Sequence, residues 1–470
     1  MTDYRPDTPI LSLAPWLADP VTPAAFPECT LRHRAEGPAA QIGLDGLSDD
    51  EWLAHFCRFE PLADNLPEPL ALKYHGHQFR VYNADLGDGR GFLFAQMRDE
   101  GGRLLDLGTK GSGQTPYSRA GDGRLTLQGA VRELLATEML GALGVDTSRT
   151  FSIVETGEQL ERHDEPSPTR SAVLTRLSHG HIRIGTFQRL LAHDEPDQMR
   201  ELVAYCLEQF PGPLPPADAP EREEPAVILM HQVVERLADL AASYIVAGFV
   251  HGVLNTDNMN ISGESFDYGP WRFLPEWNGG FTAAYFDHAG LYAFARQPEA
   301  IHWNCGQLGV ALRLLVEAPP LIAALERFGA LYQQAVGRRW CWRLGLVPGS
   351  DEENAALVAA SEQAMRDAEI GPDTFFYRHR SGRAAEGALA EALAPFEAVA
   401  GEAEYWEREI EGASHPASLV HSEVERIWSA IAQDDDWSPL HDKLASIRDL
   451  GNALGPRPLA KGHLASDSDP

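Results

Sequence analysis

Apolar residues along this chain recur at two periods, and the change between them divides it. Between residues 92 and 177 the pattern is that of strands. Residues 92–97, 104–107, 151–154 and 171–177 are short apolar and β-branched runs separated by glycine-rich or polar stretches. One helix interrupts them: within residues 126–143, Val131, Leu134, Leu135, Met139 and Ala142 share a face, and Glu133 points away from that stripe. From about residue 187 the helical period takes over, over 190–210, 227–248, 306–317, 321–342, 353–369 and 383–396. The 227–248 helix puts Val233, Val234, Leu237, Ala241, Tyr244 and Ile245 on its packed side. Residues 1–70 are Pro-rich and acidic with helical pieces such as 49–59, and read as a strap; past about Gly451 the chain is a polar tail. Strands followed by helices predict an α+β fold.

Several turns carry chemistry. Residues 73–82, then Leu86-Gly87-Asp88-Gly89-Arg90-Gly91, then the strand 92–97 read as a hairpin with a glycine turn. Gly87 and Gly89 would let the backbone approach a phosphate and Arg90 would add charge, although a plain Asp-Gly hairpin turn has the same sequence. The strand 104–110 ends in Lys110, followed by a long polar loop, 111–124, that includes Asp122 and Gly123. It is not a Walker A loop, because the lysine precedes the glycines. A strand lysine paired with a glutamate on the next helix, here Lys110 with Glu133, is the arrangement that positions phosphates in kinase small lobes. The plain alternative is two solvated surface charges. Arg176 and Arg183 offer guanidinium groups for one polyphosphate or, equally, for surface carboxylates. The triplets 75–77 and 179–181, both His-Gly-His, lack a third ligand at zinc spacing and read as hydrogen-bonded loop histidines.

The richest stretch is His251-Gly252-Val253-Leu254-Asn255-Thr256-Asp257-Asn258, with Asp267 after it. Kinase-type catalytic loops read H-x-D-L-x-x-x-N and are followed by a metal-binding Asp; the loop Asp takes the acceptor's proton, and the Asn and second Asp hold magnesium. His251, Leu254 and Asn258 occupy the first, fourth and eighth places, but the place of the base is Val253, which can take no proton. Asn258 and Asp267 remain as metal ligands, and a new carboxylate, Asp257, stands beside the first.

Composition narrows the partners. In 470 residues, enough for two or three domains, 69 Asp and Glu outweigh 39 Lys and Arg, a formal net charge of -30. No basic footprint exists for nucleic acid or an anionic membrane, so an anionic ligand must be held by local Arg, Lys and backbone N–H groups. Cys29, Cys57, Cys206, Cys305 and Cys341 form no C-x-x-C pair, which predicts neither a disulfide framework nor a zinc site and fits a reducing compartment. Without a signal-like start or an apolar run of about 18 residues, a soluble cytoplasmic protein is expected.

Taken together, residues 76–79, 87–90, 110–124, 132–133, 176–185, 251–258, 267–270 and 297–304 resemble the selenoprotein O family, also called YdiU, of protein-kinase-like pseudokinases. The motifs K-G-S-G-x-T-P-Y-S-R-x-G-D-G-R and H-G-V-x-N-T-D-N-M are long and specific, and the likeness spans about residues 70–315, matching only loosely past 320. The resemblance implies a two-lobed, protein-kinase-like fold: an N-terminal extension (1–70), a kinase-like N-lobe (71–186), a helical C-lobe with catalytic and metal loops (187–395), and a C-terminal helical region and tail (396–470). It implies a protein adenylyltransferase that binds ATP in a flipped orientation with Mg2+ or Mn2+ and transfers AMP to Ser, Thr or Tyr hydroxyls of proteins. Asp257 would be the catalytic base; Gly87, Gly89, Arg90, Lys110, Glu133, Asp122, Gly123, Arg176, Arg183 and Asp267 would bind the nucleotide, and Asn258 and Asp267 the metal. UMP transfer with Mn2+, a hydroxyl kinase and a non-catalytic nucleotide-binding scaffold remain alternatives. Arg80 stands where the family has Gly, Leu134 where it has an aromatic, and the C-terminus lacks the near-terminal Cys or selenocysteine of many members, so redox control through that residue is not expected.

Overall fold

The computed structural model describes residues 3–162, 166–399, 404–407 and 417–458. Its organising element is an eight-stranded sheet, antiparallel throughout. The order runs Ala18–Pro20, Leu70–Leu72, Leu93–Arg98, Leu104–Lys110, Thr169–Ser178, Arg149–Leu160, Thr30–Arg34, with Leu125–Thr126 also paired to Thr169–Ser178. Residues before 70 therefore supply an outer strand at each edge, so that neither flank of the central strands is left as an open ladder.

Each face of the sheet is covered by a different part of the chain. On one side lies the helix Leu127–Ala142, started by Thr126, whose hydroxyl accepts the Gly129 N–H at 3.1 Å. Its Leu134, Leu135 and Met139 are wholly buried in one cluster with Ile153 and Leu174. On the other side the helix Asp49–Phe56, closed by a Ser48/Glu51 capping box, lays Trp52 flat on Phe151 at 4.8 Å between centroids and turns Phe56 edge-on to it at 5.2 Å. Truncating a side chain as enclosed as Trp52 costs about 3–5 kcal/mol. The N-terminal segment thus straps the sheet.

The helical half is built on Pro225–Ala247, whose buried residues run almost unbroken along its length. It shares buried clusters with the helices Gln297–Leu312 and Phe328–Leu344. The terminal helix Ser438–Leu454 returns to the helix beneath the sheet, where Gly451 packs on Ala142 and Arg448 pairs with Glu138 at 3.1 Å. Among the described residues no helix is long and apolar enough to cross a membrane.

Several expectations are corrected. The stretch 73–82 does not pair with the strand 92–97; Gly76–Gln78 and Val81–Asn83 pair with each other, and Leu93–Arg98 pairs with Leu70–Leu72 and Leu104–Lys110. The region 190–210 is two helices, Ile184–Ala192 and Pro196–Gln209, parted at Asp194, which has φ 54°. The region 321–342 divides likewise at Arg327. Cys29 and Cys57, expected to be unpaired, form a disulfide. Their neighbours explain it: the strand Thr30–Arg34 pairs with Arg149–Leu160, and Trp52 of the helix Asp49–Phe56 donates to Ser152 of that same strand, a proximity that linear spacing does not encode. The polar tail expected past Gly451 is helical to Leu454, and residues 459–470 lie outside the described ones.

Candidate active site

Gly248, at φ 68°, ends the long helix; a side chain there would meet Pro372 at 2.5 Å. The left-handed turn delivers Phe249–Val250 and then His251, which is fully buried. The His251 N–H donates to Gln297 Oε1 at 2.9 Å, and its Nε2 lies 3.1 Å from the Phe266 carbonyl, so Nε2 carries the proton. Burial pushes this imidazole below its usual range and keeps it neutral. One histidine therefore ties the start of the loop to the residue before Asp267. Within the loop, Asn258 Nδ2 donates to the Val253 carbonyl at 3.0 Å, and among the described residues the Asn258 side-chain Oδ1 has no hydrogen-bond partner. Val253 contributes only main chain.

Six ionic side chains from both halves of the fold converge. Lys110 Nζ lies 2.5 Å from Glu133 Oε2 and 3.0 Å from Asp267 Oδ1. Arg176 Nη1 donates to Asp267 Oδ1 at 2.5 Å, and Arg183 Nη1 to Asp267 Oδ2 at 2.6 Å and to the Asp257 carbonyl at 2.8 Å. Arg183 Nη2 reaches Asp88 Oδ1 at 3.2 Å. Glu133, expected to point away from the packed stripe, is 2% exposed and faces this cluster. Three cations against Asp267, Glu133 and Asp88 leave no net charge, which is what burial at this depth demands. Burial alone would push the Asp267 carboxyl up, but Arg176, Lys110 and Arg183 hold it well below the usual carboxylate range. Its left-handed backbone, φ 62°, is a conformation that Asp tolerates better than most residues. Both guanidinium groups also lie over the Phe266 ring, at 5.1 and 4.7 Å.

Asp257 is built on the opposite terms. It is 8% exposed, and among the described residues its Oδ1 has no hydrogen-bond partner. Burial pushes its carboxyl up to about 6, a rise that Arg183 only partly offsets. Gly76 lies against it: a side chain there would stand 3.0 Å from Oδ1. A carboxylate of this strength can accept a proton near neutral pH.

The remaining expected residues lie apart from the ion cluster. Side chains at Gly87 and Gly89 would meet the Tyr117 ring at 2.3 Å and its carbonyl at 2.9 Å, so these glycines let loop 111–124 lie on the turn. Gly123, at φ 70°, backs onto Gly113. Asp122 faces solvent and pairs with Arg162 at 2.8 Å, while Arg90 is exposed and its carbonyl accepts the Gly111 N–H at 2.7 Å. Asp88 joins the two regions, since its carbonyl accepts from Thr115 and its carboxylate from Arg183. The sequence reading passed over it; its one signal was its place between two glycines.

A family model described as protein adenylyltransferase SelO matches residues 2–448. This chain belongs to the SelO family. The match extends well beyond the 70–315 span that the motifs suggested, into the C-terminal helices. Relatives described as protein nucleotidyltransferase YdiU include one from Synechococcus elongatus, 40% identical over 94% of both chains, and one from Gloeobacter violaceus, 41% identical over 95% of both. The chain is thus a member of a family of protein nucleotidyltransferases, with the SelO motifs set in an α+β arrangement. Among solved structures, ROP2 from Toxoplasma gondii, a virulence factor with a protein-kinase fold and no enzymatic activity, covers 71% of this chain and 99% of its own at 10% identity. Its TM-score of 0.29 is too low to carry any argument here.

Proposed function

We propose that this chain is a protein adenylyltransferase, moving AMP from ATP to Ser, Thr or Tyr hydroxyls of other proteins with ATP reversed relative to a kinase. The observation that carries the reading is Asp257: a buried carboxylate with, among the described residues, an orphan oxygen and a carboxyl raised to about 6, beside Arg183, which with Lys110 and Arg176 holds Asp267. Val253, at the usual place of a kinase base, has no group for that task. A reversed nucleotide explains both, because the α-phosphate then meets the acceptor.

In this reading Asp257 takes the proton of the acceptor hydroxyl as that oxygen bonds to the α-phosphorus. The bond from the α-phosphorus to the α,β-bridging oxygen breaks, and pyrophosphate leaves. Lys110, Arg176 and Arg183 grip the phosphates by giving up part of their hold on Asp267, and offset the charge gathering on pyrophosphate. Glu133 keeps Lys110 in place, and Gly87, Gly89, Arg90, Asp122 and Gly123 form the loop side of the nucleotide site. Among the described residues no group of three or more His, Cys, Asp or Glu could hold a metal. Asn258 and Asp267 nonetheless offer the oxygen donors that Mg2+ takes alongside phosphate oxygens, and Mn2+ suits the same set. They would hold the ion, which when bound supplies charge neutralisation on the phosphates. The net charge of -30 favours protein over nucleic-acid acceptors, and three buried free thiols, Cys206, Cys305 and Cys341, fit the cytoplasm, against which the Cys29–Cys57 disulfide stands.

The test is transfer of label from ATP to protein. Label on the α-phosphate should be transferred and label on the γ-phosphate should not, and Asp257→Asn should lower transfer by about 10²–10⁴-fold. Transfer of the γ-label would establish a hydroxyl kinase instead. No transfer of either label with Mg2+ or Mn2+, together with ATP binding lost in Lys110→Ala, would leave a scaffold. Faster transfer from UTP with Mn2+ would change the nucleotide.

A further inference from the structure

The second His-Gly-His triplet has no part in the scheme above, yet its last residue touches the phosphate-binding machinery. Arg176 Nε donates to His181 Nε2 at 3.2 Å. A guanidinium has only donors, so Nε2 must be the acceptor and the imidazole proton must sit on Nδ1. That nitrogen lies 3.0 Å from Asp106 Oδ2, and the other Asp106 oxygen accepts from Gln96 Nε2 at 2.7 Å. Gln96 is anchored in turn by accepting the Ile10 N–H at 3.0 Å. The whole chain is buried: His181 is 5% exposed, Asp106 3%, and Gln96 not at all.

The sheet makes room for this imidazole. Gly108 is the register partner of Arg176 on the neighbouring strand, and a side chain there would lie 2.4 Å from His181 Nε2. The loop carrying His181 is pinned from the helical half, where Asn260 Nδ2 donates to the Gly180 carbonyl at 2.6 Å. Arg176 is thereby fixed at two points, Nε on His181 and Nη1 on Asp267, and among the described residues its Nη2 has no hydrogen-bond partner.

We propose that His181, oriented by Asp106, is a positioning residue: a neutral acceptor that aims Arg176 at the triphosphate without consuming its charge. A carboxylate in its place would hold the guanidinium as well but would compete with the nucleotide for it. The imidazole fixes direction and leaves the charge for the ligand. This rests on the proposed reading, in which Arg176 holds phosphate.

The experiment is a double-mutant cycle on α-label transfer, with KM for ATP and kcat measured separately for wild type, His181→Ala, Arg176→Ala and the double variant. His181→Ala should raise KM for ATP by about tenfold with a smaller change in kcat, the scale at which one oriented ionic contact acts. In the Arg176→Ala background it should add less than about twofold. His181→Gln, which restores an acceptor, should recover most of the loss. Asp106→Asn should mimic His181→Ala, because an amide donating to Nδ1 would force the proton onto Nε2, against Arg176. If His181→Ala fails to fold, Asp106→Asn and His181→Gln carry the same cycle. Independent, multiplicative effects of His181 and Arg176, or a lowered Tm with unchanged KM, would overturn the proposal while leaving the reading intact. An unchanged KM in Arg176→Ala would overturn the proposal together with the phosphate role of Arg176, whereas absence of α-label transfer from the wild type would overturn the reading itself.

Discussion

The ion cluster around Asp267 and the glycine-rich turn and loop, residues 87–91 and 111–124, look alike as sequence, both drawing on Arg and Asp. As structures they differ. The cluster consists of side chains stripped of water and locked into mutual neutrality, so each charge is indispensable to the others. The loop consists of backbone laid on backbone, its glycines required because side chains would collide with Tyr117 and Gly113, while Arg90 and Asp122 stay exposed. Charge in the first region and shape in the second do the positioning.

Substitutions can break that contrast, and Lys110→Met should do so hardest. It removes the cation bonded to Glu133 Oε2, leaving Glu133 with Arg176 at 3.9 Å, and should cost about 3–5 kcal/mol in urea unfolding, even without nucleotide; a loss below about 1 kcal/mol would mean that the cluster is not neutralised as described. Gly87→Ala acts by volume instead, with a methyl group 2.3 Å from the Tyr117 ring, and should cost about 1–3 kcal/mol by overpacking. A charge-neutral effect of that size, insensitive to salt, sharpens the distinction. Next comes pH. Asp257 must be deprotonated to act, and its carboxyl is raised to about 6, so the competent form is present well above that value and lost as pH falls through it. Transfer measured as kcat/KM should be level near pH 8 and fall about tenfold per unit below 6, and a profile flat down to pH 5 would remove Asp257 as the base. Smallest is Asp122→Ala, an exposed partner of Arg162, which should change stability by no more than about 1 kcal/mol. A larger loss would show that the loop, too, depends on its charges.

Much of the site could be read from one strand of text because its spacing is local. The loop 251–258 and Asp267 are neighbours in sequence, and a lysine closing a strand before an amphipathic helix with Glu133 is a pattern visible without coordinates. Asp88, Asp106 and His181 could not be weighed in this way. Their importance comes from what stands opposite them, Arg183 for one and Arg176 for another, 95 residues away in the case of Asp88 and five along the chain but across a strand slot in the case of His181. The same blindness hid the Cys29–Cys57 bridge and the self-pairing of Gly76–Gln78 with Val81–Asn83.

What the sequence alone determined was the change from strands to helices near residue 187, the motifs of the SelO family and the loss of the ordinary base at Val253, because periodicity and residue chemistry are properties of neighbours along the chain. Only the tertiary structure decided which charges were buried together, that Glu133 faces inward, and that Asp257 keeps an unpaired oxygen. Burial and pairing fix how strongly a charge is held, and both depend on residues that meet only when the sheet and the helices close around them.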